Sequence, residues 1–198
     1  MIKIAVLVSG GGTNLQALID AWKKDELATG ELSLVISSRL GVGALERAEK
    51  VGIKAITIER KKFTDISGFD TAIAAALAEH GIDLVVLAGF LSILGPQVLQ
   101  TYKNKIINVH PSLIPSFCGK GFYGLRVHEE ALKYGVKVTG ATVHFVNDVI
   151  DGGRIILQKA IDILPDDTPE TLQQRVMREA EWVLLPKAVA MFCKGEIT

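Results

Sequence analysis

The sequence opens with a β-rich apolar run, Ile2–Val8, that passes directly into a glycine-rich turn, Ser9–Asn14. A run that is apolar at nearly every position is typical of a strand covered on both faces, as in a parallel sheet. The segment Leu15–Lys24 then repeats apolar residues at helical spacing. This strand–turn–helix unit predicts an α/β fold in which helices connect parallel strands.

The same alternation continues as far as residue 109. Further strands are predicted at Leu32–Ile36, Ala55–Ile58, Leu84–Ala88 and Lys105–Val109. Helices are predicted between them at Val42–Val51, Phe69–His80 and Pro96–Tyr102. We therefore expect a mostly parallel, twisted sheet with helices on both faces.

The second half of the sequence changes character. A loop rich in glycine and aromatic residues and a short helix, Val127–Tyr134, precede two β-rich runs, Val136–Val146 and Arg154–Ile163. Because a glycine turn joins these runs, they predict an antiparallel pair at the C-terminal side of the sheet. A last helix begins after Thr168 and is expected to bend or break near Pro186. We expect one domain over residues 1–198.

Composition narrows the functional classes. Lys plus Arg and Asp plus Glu number 22 each, which does not indicate a nucleic-acid or membrane partner. No apolar run reaches the roughly 18–20 residues that a membrane span needs. The two cysteines, Cys118 and Cys193, lack the spacing of a metal site, so we expect no metal and free thiols in a reducing cytoplasm. A monomer or weak homodimer is expected.

The glycine turn is the first candidate site. A glycine-rich turn that opens a helix offers backbone N–H groups and the positive end of the helix dipole to an anion. Thr13 and Asn14 would add side-chain donors, although the turn alone is equally typical of a tight strand-to-helix connection. Leu15 stands where a dinucleotide fingerprint has its third glycine, and no acid follows the second strand. The turn therefore favours a monophosphate over NAD. ATP is disfavoured because Gly119-Lys120-Gly121 is no Walker motif, since Gly121 stands where Ser or Thr is needed.

The second candidate site lies at the carboxyl end of the predicted strand Lys105–Val109. Asn108 and His110 are two residues apart, so they project from one face at the carboxyl end of a strand, where open α/β sheets bind ligands. An amide can donate to an oxyanion, and a histidine can move a proton near neutral pH. Asp151 could orient His110, with Asp148 as the rival carboxylate. His144 is predicted to be a packed or half-exposed sheet residue.

Several motifs occur in a fixed order between residue 2 and about residue 190. They are Ser9–Leu15, Leu87–Leu94, Asn108–Pro115, Val143–Val146, Asp151–Gly153 and Ile156–Gln158. Together they resemble the folate-dependent formyltransferases, in particular the phosphoribosylglycinamide formyltransferases of purine synthesis. The resemblance implies direct transfer of a formyl group from 10-formyltetrahydrofolate, as co-substrate, to the amine of phosphoribosylglycinamide.

The resemblance also implies roles for individual residues. Asn108 would stabilise the tetrahedral oxyanion, His110 would assist the proton transfer, and Asp151 would position His110 and help to move the proton. Glu181, which by default would lie on a solvated helix face, would contact the glycinamide amine. The phosphate would be held by Gly12, Thr13 and Asn14. The pocket for the formyl-folate would be formed by Leu91, Ser92, Ile93, Leu94, Val146 and Asp148, together with Asn108 and Asp151.

Two positions depart from the family pattern. Ser92 stands where relatives often carry arginine, and Ile66 stands where some place a basic residue near the glutamate tail of the folate. Lys61 or Lys62 would then have to contact the tail. The loop Ser116–Gly124 is longer than in shorter relatives, and it is either a lid or a variant surface loop.

Three other functions remain open. A formyltetrahydrofolate deformylase would use the same residues with water as the acceptor, but it normally carries an N-terminal regulatory domain, whereas a strand begins here at Ile2. A methionyl-tRNA formyltransferase would need a further C-terminal domain and a basic face. A sugar-phosphate or folate binding protein would bind the ligands without turnover.

Overall fold

A single seven-stranded sheet organises the computed structural model, which describes residues 1–198. The strand order is β3-β2-β1-β4-β5-β6-β7, and β1 to β5 are parallel to one another. The strands are β1 Ile2–Val8, β2 Gly30–Ser37, β3 Lys54–Thr57, β4 Leu84–Leu87, β5 Ile106–His110, β6 Val138–Phe145 and β7 Ile155–Asp162.

Seven helices cover the sheet. They are α1 Thr13–Lys23, α2 Gly43–Glu49, α3 Ile66–Glu79, α4 Pro96–Thr101, α5 Leu125–Tyr134, α6 Pro169–Val176 and α7 Trp182–Cys193, with a 3₁₀ turn at Arg60–Lys62. None of them has the combined length and apolar character needed to cross a bilayer. The order of strands and helices agrees with the sequence prediction, and the boundaries differ by up to three residues.

The two faces of the sheet bury separate cores. Ile4, Val6 and Val8 of β1 point into the larger core with α1, α2, α6 and α7, while Ala5 and Leu7 point into a smaller core with α3 and α4. Successive strand residues face opposite sides of the sheet, and here the residues on both sides are apolar and fully buried. The predicted parallel sheet with helices on both faces is confirmed.

The antiparallel part of the sheet begins at β5. Strand β6 pairs antiparallel with β5, and β7 pairs antiparallel with β6, which confirms the predicted pair at the C-terminal side. In the register of β5 and β6, Asn108 lies opposite His144 and His110 lies opposite Thr142. Residues directly opposite each other project to the same face, so this register decides which β6 side chains meet Asn108 and His110.

The predicted break near Pro186 does not occur, because the helix continues through this residue. Pro186 lies inside α7, and the irregular segment is a π turn one turn earlier, at Met177–Glu181. A proline ring crowds the carbonyl group four residues before it, here that of Trp182, directly after the π turn.

Candidate active site

Asn108 and His110 are presented by the last parallel strand at its carboxyl end. Asn108 is half-buried and His110 is 5% exposed, and both project from the same face of β5. The chain leaves the sheet at Pro111, because a proline cannot continue the strand ladder. The structure therefore places an amide and an imidazole side by side, at the edge of the sheet where the sequence predicted them.

His110 is held between a loop carbonyl and a carboxylate. Its Nε2 lies 2.9 Å from the carbonyl oxygen of Phe117, to which it donates, and its Nδ1 lies 3.7 Å from Oδ2 of Asp151. The backbone N–H of Gly119 donates to the same Oδ2 at 2.8 Å. Since Nε2 carries a hydrogen, Nδ1 is the nitrogen that can take up a further proton, and it faces Asp151.

His144 joins this group, a contact that the sequence analysis missed. Its Nδ1 lies 2.8 Å from the carbonyl oxygen of Phe145 and must donate to it, so the unprotonated Nε2 accepts from Nδ2 of Asn108 at 3.0 Å. His144 is 1% exposed, and this burial lowers its pKa and favours the neutral ring. The contact fixes the Asn108 amide and leaves its second N–H free to donate.

Asp151 reaches both histidines because of the two glycines that follow it. Its Oδ1 lies 3.8 Å from Nε2 of His144. Asp151 has a φ of 55°, a left-handed conformation that aspartate tolerates better than most residues. A Cβ on Gly153 would overlap the carbonyl group of Phe145, and a Cβ on Gly152 would lie 2.5 Å from Val149. The Asp-Gly-Gly sequence therefore lets this loop pack closely against β6.

Asp148, the rival carboxylate, is exposed and forms no contact with either histidine. The side chain of Asp151 is only 12% exposed. The structure thus brings Asp151 to His110 and leaves Asp148 at the rim of the same loop.

The glycine turn ends at an uncapped helix. Gly12 is the N-cap of α1 with a φ of 75°, and no side chain accepts a hydrogen bond from the first turn. A Cβ on Gly12 would lie 2.7 Å from Cβ of Ala44, while Gly10 and Gly11 face open space. The free N–H groups and the open approach suit an anion such as a phosphate.

Asn14 connects this turn to a buried acid. Its Nδ2 donates to Oε2 of Glu181 at 2.7 Å, and its Oδ1 is buried without a partner. Glu181 is 6% exposed, and burial raises its pKa to about 7, against the opposing effect of the Asn14 hydrogen bond. The default interpretation of Glu181 as a solvated helix residue is therefore wrong.

A cavity of about 690 Å³ lies at the carboxyl ends of β2, β3 and β4. It is lined by Ser38, Arg39, Leu40, Glu59, Arg60, Lys61, Ile66, Leu91, Ser92 and Ile93. Leu94 does not line it but packs, 6% exposed, into the core with α3 and α4. A second cavity, of about 710 Å³, lies between α1 and α7 and includes Thr13 but none of the residues around His110.

The lysines near this cavity differ in position. Lys61 lines the cavity, whereas Lys62 does not. Both contact Glu59, whose carboxylate lies 3.1 Å from Nζ of Lys61 and 2.5 Å from Nζ of Lys62. The Lys62 contact is the main reason that the pKa of Glu59 is lowered.

Comparison with known proteins identifies the family. The profile of the formyl transferase family matches residues 2–189. The chain belongs to this family. Phosphoribosylglycinamide formyltransferase of Haemophilus influenzae is 39% identical over 197 residues, which cover 100% of this chain and 90% of that protein.

Two further relatives are similar to this formyl transferase over almost its whole length. Glycinamide ribonucleotide transformylase 1 of Symbiobacterium toebii has a similar crystal structure, with a TM-score of 0.92, 41% identity, and coverage of 98% of this chain and 89% of that one. The human trifunctional purine biosynthetic protein adenosine-3 is 42% identical over 98% of this chain. This chain spans only 19% of that longer protein.

Most of the predicted site residues of this formyl transferase fall into three groups. Val146 and Asp148 belong to none of them: Val146 packs, partly buried, against the smaller core, and Asp148 is exposed. The first group comprises Asn108, His110 and Asp151, which the structure brings together with His144. The second comprises the glycine turn with Glu181, joined through Asn14. The third comprises Leu91, Ser92 and Ile93 at the cavity, from which Leu94 is absent. No group of three or more His, Cys, Asp or Glu side chains is arranged to hold a metal ion.

Proposed function

We propose that this chain transfers the formyl group of 10-formyltetrahydrofolate to the amine of phosphoribosylglycinamide, a step of purine synthesis. The observation that carries the proposal is the group of four side chains at the end of β5. There Asn108 is oriented by His144, while His110 faces Asp151. An oriented amide donor beside a proton acceptor is what acyl transfer to an amine requires.

Asn108 would stabilise the charge that develops on the formyl oxygen. The amine nitrogen attacks the formyl carbon, a new C–N bond forms, and the carbonyl oxygen becomes an oxyanion. The Asn108 N–H that His144 leaves free can donate to this oxyanion. Because the amide is already oriented, little reorganisation accompanies the reaction.

His110 and Asp151 would handle the proton. The attacking amine loses a proton, and N10 of the tetrahydrofolate gains one as its bond to the formyl carbon breaks. Nδ1 of His110 can accept this proton, since Nε2 already donates to Phe117, and the Asp151 carboxylate would stabilise the resulting imidazolium. No covalent enzyme intermediate is needed.

The two substrates would approach from opposite sides of this group. The phosphate of phosphoribosylglycinamide would bind Gly12, Thr13 and Asn14, with Glu181 near its amine. The folate would contact Leu91, Ser92 and Ile93 on one side and Val146 and the Asp148 loop on the other. For its glutamate tail, the cavity offers Arg39, Arg60 and Lys61, and Lys61 is a better candidate than Lys62 because it lines the cavity.

The decisive experiment follows tetrahydrofolate release from 10-formyltetrahydrofolate with and without phosphoribosylglycinamide. Release that requires the amine supports the transferase. Release of formate without the amine would identify a deformylase, and binding without release would identify a non-catalytic protein.

Two alanine variants test the assignment of the site. We expect Asn108→Ala and His110→Ala each to lower kcat by about 10²–10³, the usual cost of losing one oxyanion donor or one proton-transfer group. His80→Ala is the matched control, because the ring of His80 hydrogen-bonds to the carbonyl oxygen of Ala76 in the helix that it ends and is not part of this site. Normal turnover in Asn108→Ala or His110→Ala would contradict the proposed mechanism.

A further inference from the structure

The segment 88–95 forms one wall of the cavity without belonging to a helix or strand. Its apolar side chains Leu91 and Ile93 are 48% and 57% exposed. Both side chains line the cavity together, where a ligand can reach them. Buried polar groups hold the backbone of the segment near both of its ends.

The first end is fixed by Ser9, at the transition from β1 to the glycine turn. Ser9 is 2% exposed, and its Oγ accepts a hydrogen bond from the backbone N–H of Leu91 at 2.9 Å. The same Oγ lies 2.6 Å from Oγ of Ser38, and the Ser9 backbone N–H donates to Gly89 at 3.1 Å. The hydroxyl therefore joins the ends of β1 and β2 to the backbone of the wall.

The second end is fixed by Asp70 on α3. Asp70 is 2% exposed, and Oδ1 accepts from the N–H of Gly95 at 2.7 Å while Oδ2 accepts from the N–H of Gln97 at 2.8 Å. Oδ2 also accepts from Val98 at 3.3 Å, so the carboxylate caps α4 from a different helix. A Cβ on Gly95 would lie 2.6 Å from Asp70, which explains the glycine at this position.

Asp70 has no basic partner among the ion pairs of the structure. Its charge is balanced by the backbone N–H groups at the start of α4 and by the dipole of that helix. A buried carboxylate satisfied only by the backbone fixes where the wall segment ends and α4 begins.

We infer that Ser9 and Asp70 are positioning residues that hold the 88–95 segment in its folate-binding shape before the folate arrives. This inference rests on the proposed function, because it concerns the binding of the formyl-folate. Pre-ordering of the segment removes the entropic cost of arranging Leu91 and Ile93 on binding. Since Ser9 directly precedes Gly10, the same residue also fixes the position of the 88–95 segment relative to the glycine turn.

Steady-state kinetics of the variants Ser9→Ala and Asp70→Asn tests the inference. We expect each to raise KM for 10-formyltetrahydrofolate by about 5–20-fold, the cost of one or two hydrogen bonds, and KM for phosphoribosylglycinamide by less than about twofold. Thr71→Val is the matched control, since it removes an exposed hydrogen bond from α3 to Gln97, of 2.9 Å, that does not involve the wall. A lower kcat in Ser9→Ala and Asp70→Asn, with the KM values for both substrates unchanged, would show a purely structural role and overturn the inference.

Hydrogen exchange on the wild-type chain provides a second test that does not depend on the variants folding. Without ligand, the amide protons of Leu91 and Gly95 should exchange at least about tenfold more slowly than those of Ser92 and Ile93, whose N–H groups have no such acceptor. Fast exchange of Leu91 and Gly95 until 10-formyltetrahydrofolate is added would overturn the inference. If the wild-type chain neither binds nor turns over 10-formyltetrahydrofolate, the proposed function itself is refuted. If the wild type turns over normally and both variants keep the wild-type KM for 10-formyltetrahydrofolate, only the inference is refuted.

Discussion

Replacement of Glu181 by glutamine is expected to change how the stability of the protein depends on pH. Glu181 is buried, and its pKa is raised from 4.5 to about 7. Between these values the folded protein keeps the proton while the unfolded chain has lost it, so the unfolded chain binds fewer protons. The free energy of unfolding therefore falls as pH rises from about 4.5 to about 7, and the loss is complete above pH 7.

The size of this effect follows from the pKa difference. One pH unit corresponds to about 1.4 kcal/mol, so the rise from 4.5 to about 7 gives a loss of about 3 kcal/mol as an upper value. In Glu181→Gln this loss is absent, and the glutamine carbonyl can still accept the 2.7 Å hydrogen bond from Asn14. We therefore expect the stability of the wild type relative to this variant to fall by up to about 3 kcal/mol between pH 5 and pH 8.

Urea denaturation of both proteins at pH 5, 6, 7 and 8 measures this difference. The control is Glu170→Gln, which changes an exposed acid in the first turn of α6. Parallel stability curves for the wild type and Glu181→Gln would refute the reasoning, because they would show that Glu181 loses its proton equally in the folded and unfolded chains.

Four other substitutions probe the site. His144→Phe keeps a ring in the buried position but removes the acceptor that orients Asn108. The kcat measured by tetrahydrofolate release should therefore fall by at least about tenfold, with both KM values little changed. An unaltered kcat would contradict the orienting role. Asp151→Asn should lower kcat in the same assay by at least about 10², while Asp148→Asn keeps kcat within about twofold, and the reverse pattern would move the carboxylate role to Asp148. Gly153→Ala should lower the free energy of unfolding in urea by about 2 kcal/mol or more, because its Cβ would overlap the backbone of β6; a stable variant would show that the loop can move away.

The order of the secondary structure could be predicted from the sequence because it depends on local patterns. The nearly continuous apolar runs of β1 and β4 are buried on both faces, and the glycine-containing connection between β6 and β7 marks an antiparallel pair. Pro186 does not interrupt α7, and the nearest irregular segment is the π turn at Met177–Glu181, which the sequence analysis did not predict.

The site was predictable where residues are neighbours in sequence. Asn108 and His110 share a strand face through their spacing alone. The contact of His144 with Asn108 depends on the register of β5 and β6, which links residues 36 positions apart. The choice of Asp151 over Asp148 depends on how a loop packs against β6, which a sequence motif does not specify. One signal could have revealed His144: in an antiparallel pair, a histidine opposite Asn108 must share its face.

The π turn before α7 has a consequence for how this helix tolerates changes in length. A π turn contains about one residue more than an α turn, and one residue corresponds to about 100° of rotation about the helix axis. Deletion of a single residue from Met177–Ala180 would keep both helices but change their rotational phase, so that α6 and Glu181 could no longer face their present neighbours at the same time. The contact between Asn14 and Glu181 is thus determined by the residue count of this segment as well as by its chemistry, and one codon deletion would remove it with every side chain of the contact still present.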